Sequence, residues 1–132
     1  MDDLAGYRWW LDVETMSTWQ FGGGDARRNN RAALEGMADR LTAVGGVVGL
    51  YSTRGQWAQI VGTVPAGSSL YALDSWLAGA DSLAGAVGGC QSAPLVGGGR
   101  VVLTQYLGGD LDRNHSCAPV AEPAVGAGPL GG

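Results

Sequence analysis

The apolar positions of the chain fall into four short segments that predict buried strands. The first, Tyr7–Val13, is rich in aromatic and β-branched residues and shows little polar alternation. This composition is typical of a strand covered on both faces, as in parallel sheets. The other three segments are Val47–Ser52, Tyr71–Ala78 and Arg100–Tyr106.

Helical periodicity is clearest between Asn29 and Val44. The apolar side chains that share one face of this predicted helix are Leu34, Met37, Ala38, Leu41 and Val44. Asn29 or Asn30 can cap its N-terminus, and Gly45 can end it in the left-handed conformation.

Two weaker segments, Thr53–Ile60 and Asp81–Gly88, predict short helices between the later strands. The alternation of strands and helices predicts an α/β fold whose parallel strands are joined by right-handed crossovers. A length of 132 residues suits one domain. Residues 118–132 are nearly all Ala, Pro, Gly and Val, so we expect a flexible tail after a folded domain at 1–117.

The net charge of the chain and the length of its apolar runs argue against nucleic acid and membranes as partners. The net charge is −4, and the basic residues form no stripe for nucleic acid and no patch for anionic lipid. No apolar run approaches the roughly 20 residues that span a membrane, so we expect no membrane insertion. The N-terminus has neither the basic nor the apolar region of a signal peptide.

All eight basic residues are arginine. The absence of lysine excludes a Schiff-base lysine, a P-loop lysine and attachment of pyridoxal phosphate. The Gly22–Gly24 run matches neither phosphate-binding glycine motif, so we predict no cofactor.

Cys90 and Cys117 are the only cysteines and His115 is the only histidine. A tetrahedral zinc site would therefore need unusual ligands. The cysteines could form a disulfide, which we favour, or remain two buried thiols. His115 precedes Ser116, but there is no G-x-S-x-G motif to support a hydrolase triad.

Two carboxylates, Asp12 and Glu14, end the first predicted strand. Because side chains alternate along a strand, both should point to one face while Leu11 and Val13 point to the other. Glycoside cleavage needs one protonated carboxyl near the leaving oxygen and one ionised group near the oxocarbenium centre. The neighbouring tryptophans and repulsion from Asp12 should raise the pKa of Glu14.

Two other interpretations of the acidic residues stay open. Asp12 and Glu14 could be a solvated strand end, because charges often terminate strands. Together with Asp110 and Asp112 they could also offer oxygen ligands to magnesium or calcium. The segment from Asp110 lacks the glycine and the final acid of an EF-hand loop, so we predict no metal site.

Four motifs occur in order: WWLDVE at Trp9–Glu14, GLYST at Gly49–Thr53, SWLAGA at Ser75–Ala80, and LTQY followed by DLDRN within Leu103–Asn114. Their order and spacing resemble the later part of glycoside hydrolase family 25 lysozymes, in particular the actinobacterial family-25-like proteins. The resemblance covers roughly Tyr7 to Cys117.

The resemblance implies a modified TIM-type barrel that cleaves the β-1,4 link between N-acetylmuramic acid and N-acetylglucosamine in peptidoglycan. Glu14 would be the general acid, Asp12 would assist the developing charge or orient the acetamido group, and Asp112 would match a further acidic position. The residues expected to line the sugar groove are Tyr51, Trp76, Gln105 and Tyr106. Independently of the family, the ring of Trp57 could stack on a sugar.

The family's first strand carries a further aspartate, and nothing before Tyr7 can supply it. A (β/α)₈ barrel typically needs about 250 residues. The chain therefore resembles the C-terminal half of a barrel, for which we expect a truncated sequence, a fragment that dimerises, or a chain that needs a partner half. The strands at Tyr7–Val13 and Arg100–Tyr106 would then be open edges prone to self-association.

The sequence thus predicts a partial TIM-type barrel with about four parallel strands and intervening helices. Its expected function is that of a peptidoglycan-cleaving glycoside hydrolase of the muramidase type, in a truncated or incomplete form. The expected partner is a peptidoglycan-like polysaccharide, and the resemblance implies an extracellular or cell-wall location. The alternative is a non-catalytic carbohydrate-binding module that keeps the aromatic groove without the full carboxylate set.

Overall fold

The computed structural model describes residues 6–16 and 18–118. Within these residues the chain forms five strands and three helices. In chain order they are β1 (Arg8–Asp12), α1 (Gly24–Ala43), β2 (Val47–Ser52), α2 (Arg54–Ile60), β3 (Asp74–Ala80), α3 (Leu83–Gly89), β4 (Val101–Gly108) and β5 (Leu111–Ser116). The expected tail lies outside the described residues, apart from Ala118.

The strands form one curled, half-barrel sheet in the order β1-β2-β3-β4-β5. The first four strands are parallel, as predicted, and β5 runs antiparallel to β4. Irregular register within β3 interrupts the β3–β4 pairing in two places, and such bulges bend a strand. The fold is thus a mixed α/β partial barrel.

The core lies between the sheet and the helices. Leu11 of β1 and the fully buried Val13, which follows that strand, share it with Leu50 of β2 and Leu34 of α1. On α3, the backbone oxygen of Ala86 accepts a hydrogen bond from the Thr104 hydroxyl of β4. All three helices therefore cover the same face of the sheet, and the opposite face carries none of them.

Helix α1 starts five residues earlier than the periodicity predicted. Its cap is Gly23, so the prediction of Asn29 or Asn30 as the cap is wrong. Asn30 instead lies buried within the helix, where its amide donates to the backbone oxygens of Gln20 and Ile60. The predicted end is confirmed, since Gly45 follows the helix with a φ of 87°.

The polar segment after Tyr106, in which the sequence predicts no strand, is a strand in the structure. It forms β5, which joins β4 through a tight turn at Gly109 and Asp110. Gly109 adopts the left-handed conformation that such a turn needs, with a φ of 67°. Because β5 pairs with β4 from Leu103 to Gly108, the predicted open edge at Arg100–Tyr106 is wrong. By contrast, β1 has no strand partner on its outer side within the described residues.

A disulfide joins Cys90, just after α3, to Cys117, just after β5, with a Cα–Cα distance of 5.6 Å. The Cys117 amide also donates to the Val102 carbonyl of β4. The outer antiparallel strand is thus fastened to the helical layer by a covalent bond. Among the described residues, no helix has the length and apolar character needed to cross a bilayer.

We predict that replacing both cysteines by alanine lowers the free energy of unfolding by about 3–4 kcal/mol, because the bond closes a loop of 27 residues in the unfolded chain. Urea denaturation with and without dithiothreitol measures this. The reductant should destabilise the natural chain and leave the double variant unchanged. Equal stability of the oxidised and reduced natural chain would contradict the prediction.

Candidate functional site

The face of the sheet opposite the helices carries a row of polar and aromatic side chains. Even-numbered residues of β1 point to this face, and Glu14 follows in the same alternation. The strand register places Asp12 beside Tyr51 and Tyr51 beside Trp76. Three neighbouring strands therefore bring one residue each to the same level of this uncovered face.

The aromatic side chains of the face touch one another edge to face. The ring centroids of Tyr51 and Trp76 are 4.6 Å apart, and those of Trp10 and Trp76 are 5.4 Å apart. The Trp10 indole lies across Gly49, where an added Cβ would be 2.6 Å from Trp10 Cε3. Glycine at this position of β2 is therefore what allows the indole to lie flat on the sheet.

Glu14 is partly buried and lies beside other carboxylates. Its pKa is raised, first by desolvation and then by the charge of Asp12, by a side-chain hydrogen bond with Asp12 and by the charge of Asp112. The prediction of a raised pKa is confirmed. Asp112 belongs to β5, at the far edge of the sheet from β1, so the curl of the sheet brings acids from both outer strands towards one place.

Tyr51 belongs to the same cluster. Its pKa is raised by burial and then by the charges of Glu14, Asp12 and Asp112, while its hydrogen bond with Gln105 opposes the shift. The phenol donates to Gln105 Oε1 at 2.7 Å. The proton is therefore donated to an amide oxygen of β4, and the nearby carboxylate charges oppose its loss.

Backbone contacts on both sides of Glu14 fix its position. The Val13 amide donates to the Tyr51 carbonyl at 2.9 Å, and the Ser52 hydroxyl donates to the Val13 carbonyl at 2.6 Å. The Thr15 amide donates to Gln56 Oε1 of α2 at 2.6 Å. The acid thus sits between two anchored residues at the carboxyl end of β1.

Two residues of this face went unpredicted as site residues. Asn114 of β5 accepts a hydrogen bond from Trp76 Nε1 at 3.0 Å and so orients the indole. Trp10 was considered only as a neighbour of the acids. The two-residue alternation that links Trp10 to Asp12, and Asp112 to Asn114, is the signal that would have found both.

Two expected groove residues lie elsewhere. Trp57 is 5% exposed and belongs to the core beneath the helices, so it cannot stack on a sugar. Tyr106 directly follows Gln105 and lies two residues after Thr104, so its side chain points to the same face of β4 as that of Thr104. The Thr104 hydroxyl bonds to α3, so this is the helical side. Both predictions are wrong for the same reason, since neither side chain faces the carboxylates.

The described residues contain no group of three or more His, Cys, Asp and Glu side chains arranged to hold a metal ion. Comparison of the chain with protein-family models, curated proteins and solved structures finds no match.

We predict that Gly49→Ala destabilises the protein by about 1–3 kcal/mol, because the new methyl group collides with the Trp10 ring and overpacks the face. Gly36→Ala is the matched control. Position 36 lies within α1 with open space around it, so alanine should stabilise by about 0.5–1 kcal/mol. Thermal unfolding of the two variants checks this, and an equal effect of both substitutions would contradict the assigned position of Trp10.

Proposed function

We propose that the protein is a glycoside hydrolase of the peptidoglycan muramidase type, built on part of a TIM-type barrel like that of family 25 lysozymes. The observation that carries the proposal is Glu14, a partly buried carboxyl with a raised pKa that is hydrogen bonded to Asp12. Paired carboxyls in unlike environments are the usual means of dividing acid and base roles.

The position of the pair supports the proposal. Active sites of barrel enzymes lie at the carboxyl ends of the strands, and Glu14 is the second residue after β1 at that end. The aromatic row of Trp10, Tyr51 and Trp76 lies on the same face and offers ring faces and edges to a sugar. A saccharide bound across these rings would reach the carboxyls.

In the proposed reaction, the Glu14 carboxyl donates its proton to the glycosidic oxygen as the bond from that oxygen to the anomeric carbon breaks. The ionised Asp12, with Asp112 nearby, stabilises the positive charge that develops on the sugar ring. Water then adds to the anomeric carbon, and its proton restores the Glu14 acid. No cofactor takes part in these steps.

The remaining residues of the cluster would orient the substrate. Tyr51 is fixed by Gln105, and Trp76 is fixed by Asn114, so both rings are held before any ligand arrives. Preorganised contacts of this kind reduce the ordering cost of binding. The disulfide suits an oxidising compartment and so supports the proposed extracellular or cell-wall location.

A carbohydrate-binding module without catalysis is the second candidate. It is favoured by the aromatic row itself, which needs no carboxylate to stack on sugar rings. Turnover separates the two candidates, because a module would retain insoluble peptidoglycan without releasing reducing ends.

We predict that the chain releases reducing ends from purified peptidoglycan and that Glu14→Gln lowers the rate by about 10²- to 10⁴-fold, the usual contribution of a general acid. Since the protonated form is the active one, the rate should fall as pH rises through the raised pKa of Glu14. Binding to the insoluble polymer should persist in the variant.

Asp39→Asn is the matched control, because it removes an exposed carboxylate from α1 on the helical side. It should keep full activity. Undiminished release by Glu14→Gln would remove Glu14 from the acid role. Binding without any release by the natural chain would instead favour the carbohydrate-binding module.

A further inference from the structure

The amino-terminal end of the uncovered face holds a second charged group, formed by Arg8, Asp74 and Arg100. Arg8 Nη1 lies 3.3 Å from Asp74 Oδ2, and Arg100 Nε lies 3.8 Å from Asp74 Oδ1. Two guanidinium groups thus share one carboxylate. We call these three residues the arginine pair and its counter-ion, and together they carry one excess positive charge.

Both guanidinium groups keep donors available for a ligand. The side chains of Arg8 and Arg100 are 37% and 52% exposed, whereas Asp74 between them is 23% exposed. Each guanidinium has five N–H donors, and the contacts with Asp74 use only a few of them. An anion arriving from solvent can therefore bond to both arginines without removing Asp74.

The Arg8 side chain is also held in place by the aromatic row. Its guanidinium carbon lies 5.0 Å from the centroid of the Trp10 ring. Stacking on an indole leaves the edge donors of a guanidinium free, and those edges match a planar carboxylate. Arg8 is thus fixed by a ring on one side and by Asp74 on the other.

The uncovered face is charged oppositely at its two ends. Asp12 and Glu14 lie at the carboxyl end of β1, and Arg8 begins the same strand. Asp12 lies four positions after Arg8, which is roughly 13 Å along a strand. Tyr51 and Trp76 lie level with Asp12, whereas Trp10 lies between Asp12 and Arg8 and is level with Asp74. A saccharide that extends from the carboxylates over the Trp10 ring would therefore reach the arginines.

We propose that the arginine pair is a subsite for a carboxylate carried by the glycan, which rests on the proposed function. It selects an acidic polysaccharide and fixes the direction in which the strand lies across the rings. A singly charged carboxylate suits the site better than a multiply charged group, because the excess charge is a single unit and the chain as a whole carries a net charge of −4.

Two insoluble polymers with related backbones test the subsite. Peptidoglycan carries lactyl and peptide carboxylates, and chitin is a β-1,4 polymer of N-acetylglucosamine that lacks them. The fraction of protein bound to each polymer gives a preference ratio that does not depend on turnover. The natural chain should prefer peptidoglycan, and added salt should reduce that preference.

The arginine variants and the Asp74 variant should change the preference for peptidoglycan over chitin in opposite directions. Arg100→Gln should lower the preference by about two- to fivefold, as for loss of an exposed ion pair, and Arg8→Gln/Arg100→Gln should lower it further. Asp74→Asn removes the internal counter-ion and should raise it. Arg40→Gln is the control, because it makes the same change in net charge on the exposed side of α1 and should leave the ratio unchanged.

The outcomes separate the two proposals. Binding to neither polymer would overturn the proposed function. Equal binding to both polymers, or a preference that Arg100→Gln and Arg40→Gln change alike, would overturn the subsite while leaving glycan binding intact. Circular dichroism on each variant verifies folding, and the opposite response of Asp74→Asn cannot come from partial unfolding.

Discussion

The parallel pairing of β1 with β2 is the constraint on which the site depends. It sets Asp12 beside Tyr51 and is extended by the hydrogen bond from the Val13 amide to the Tyr51 carbonyl. A shift of one residue would turn the acids into the core and Val13 into solvent. Burial of Val13 and exposure of its acidic neighbours are therefore two results of one register.

The same alternation of side chains gives the two faces of the sheet different roles. One face packs against three helices, and the other carries the aromatic row together with carboxylates at one end and arginines at the other. Because the sheet is curled, β5 adds Asp112 and Asn114 to this face from the opposite edge. The disulfide at Cys117 holds that strand to the helical layer, so a bond outside the site supports the geometry within it.

Apolar strands and the pairing of Asp12 with Glu14 could be predicted because hydrophobic burial and two-residue alternation leave clear patterns. Strand β5 left no such pattern, since its side chains are mostly exposed on both faces, although Gly109 and Asp110 form a recognised hairpin dipeptide. Trp57 and Trp76 are chemically alike, and only the fold decides which one is buried. Tyr106 was predicted beside Gln105, although adjacent strand residues must face opposite sides.

The register of β1 brings Glu14 and Asp12 together, so that Glu14 keeps its proton above the usual pH range of a glutamate. Carbon-13 NMR titration of the side-chain carboxyls measures this directly. Glu14 should titrate above its ordinary value of 4.5, and Asp12→Asn should move that titration down, because it removes the neighbouring charge. Titration of Glu14 at its ordinary value, unchanged by Asp12→Asn, would contradict the account.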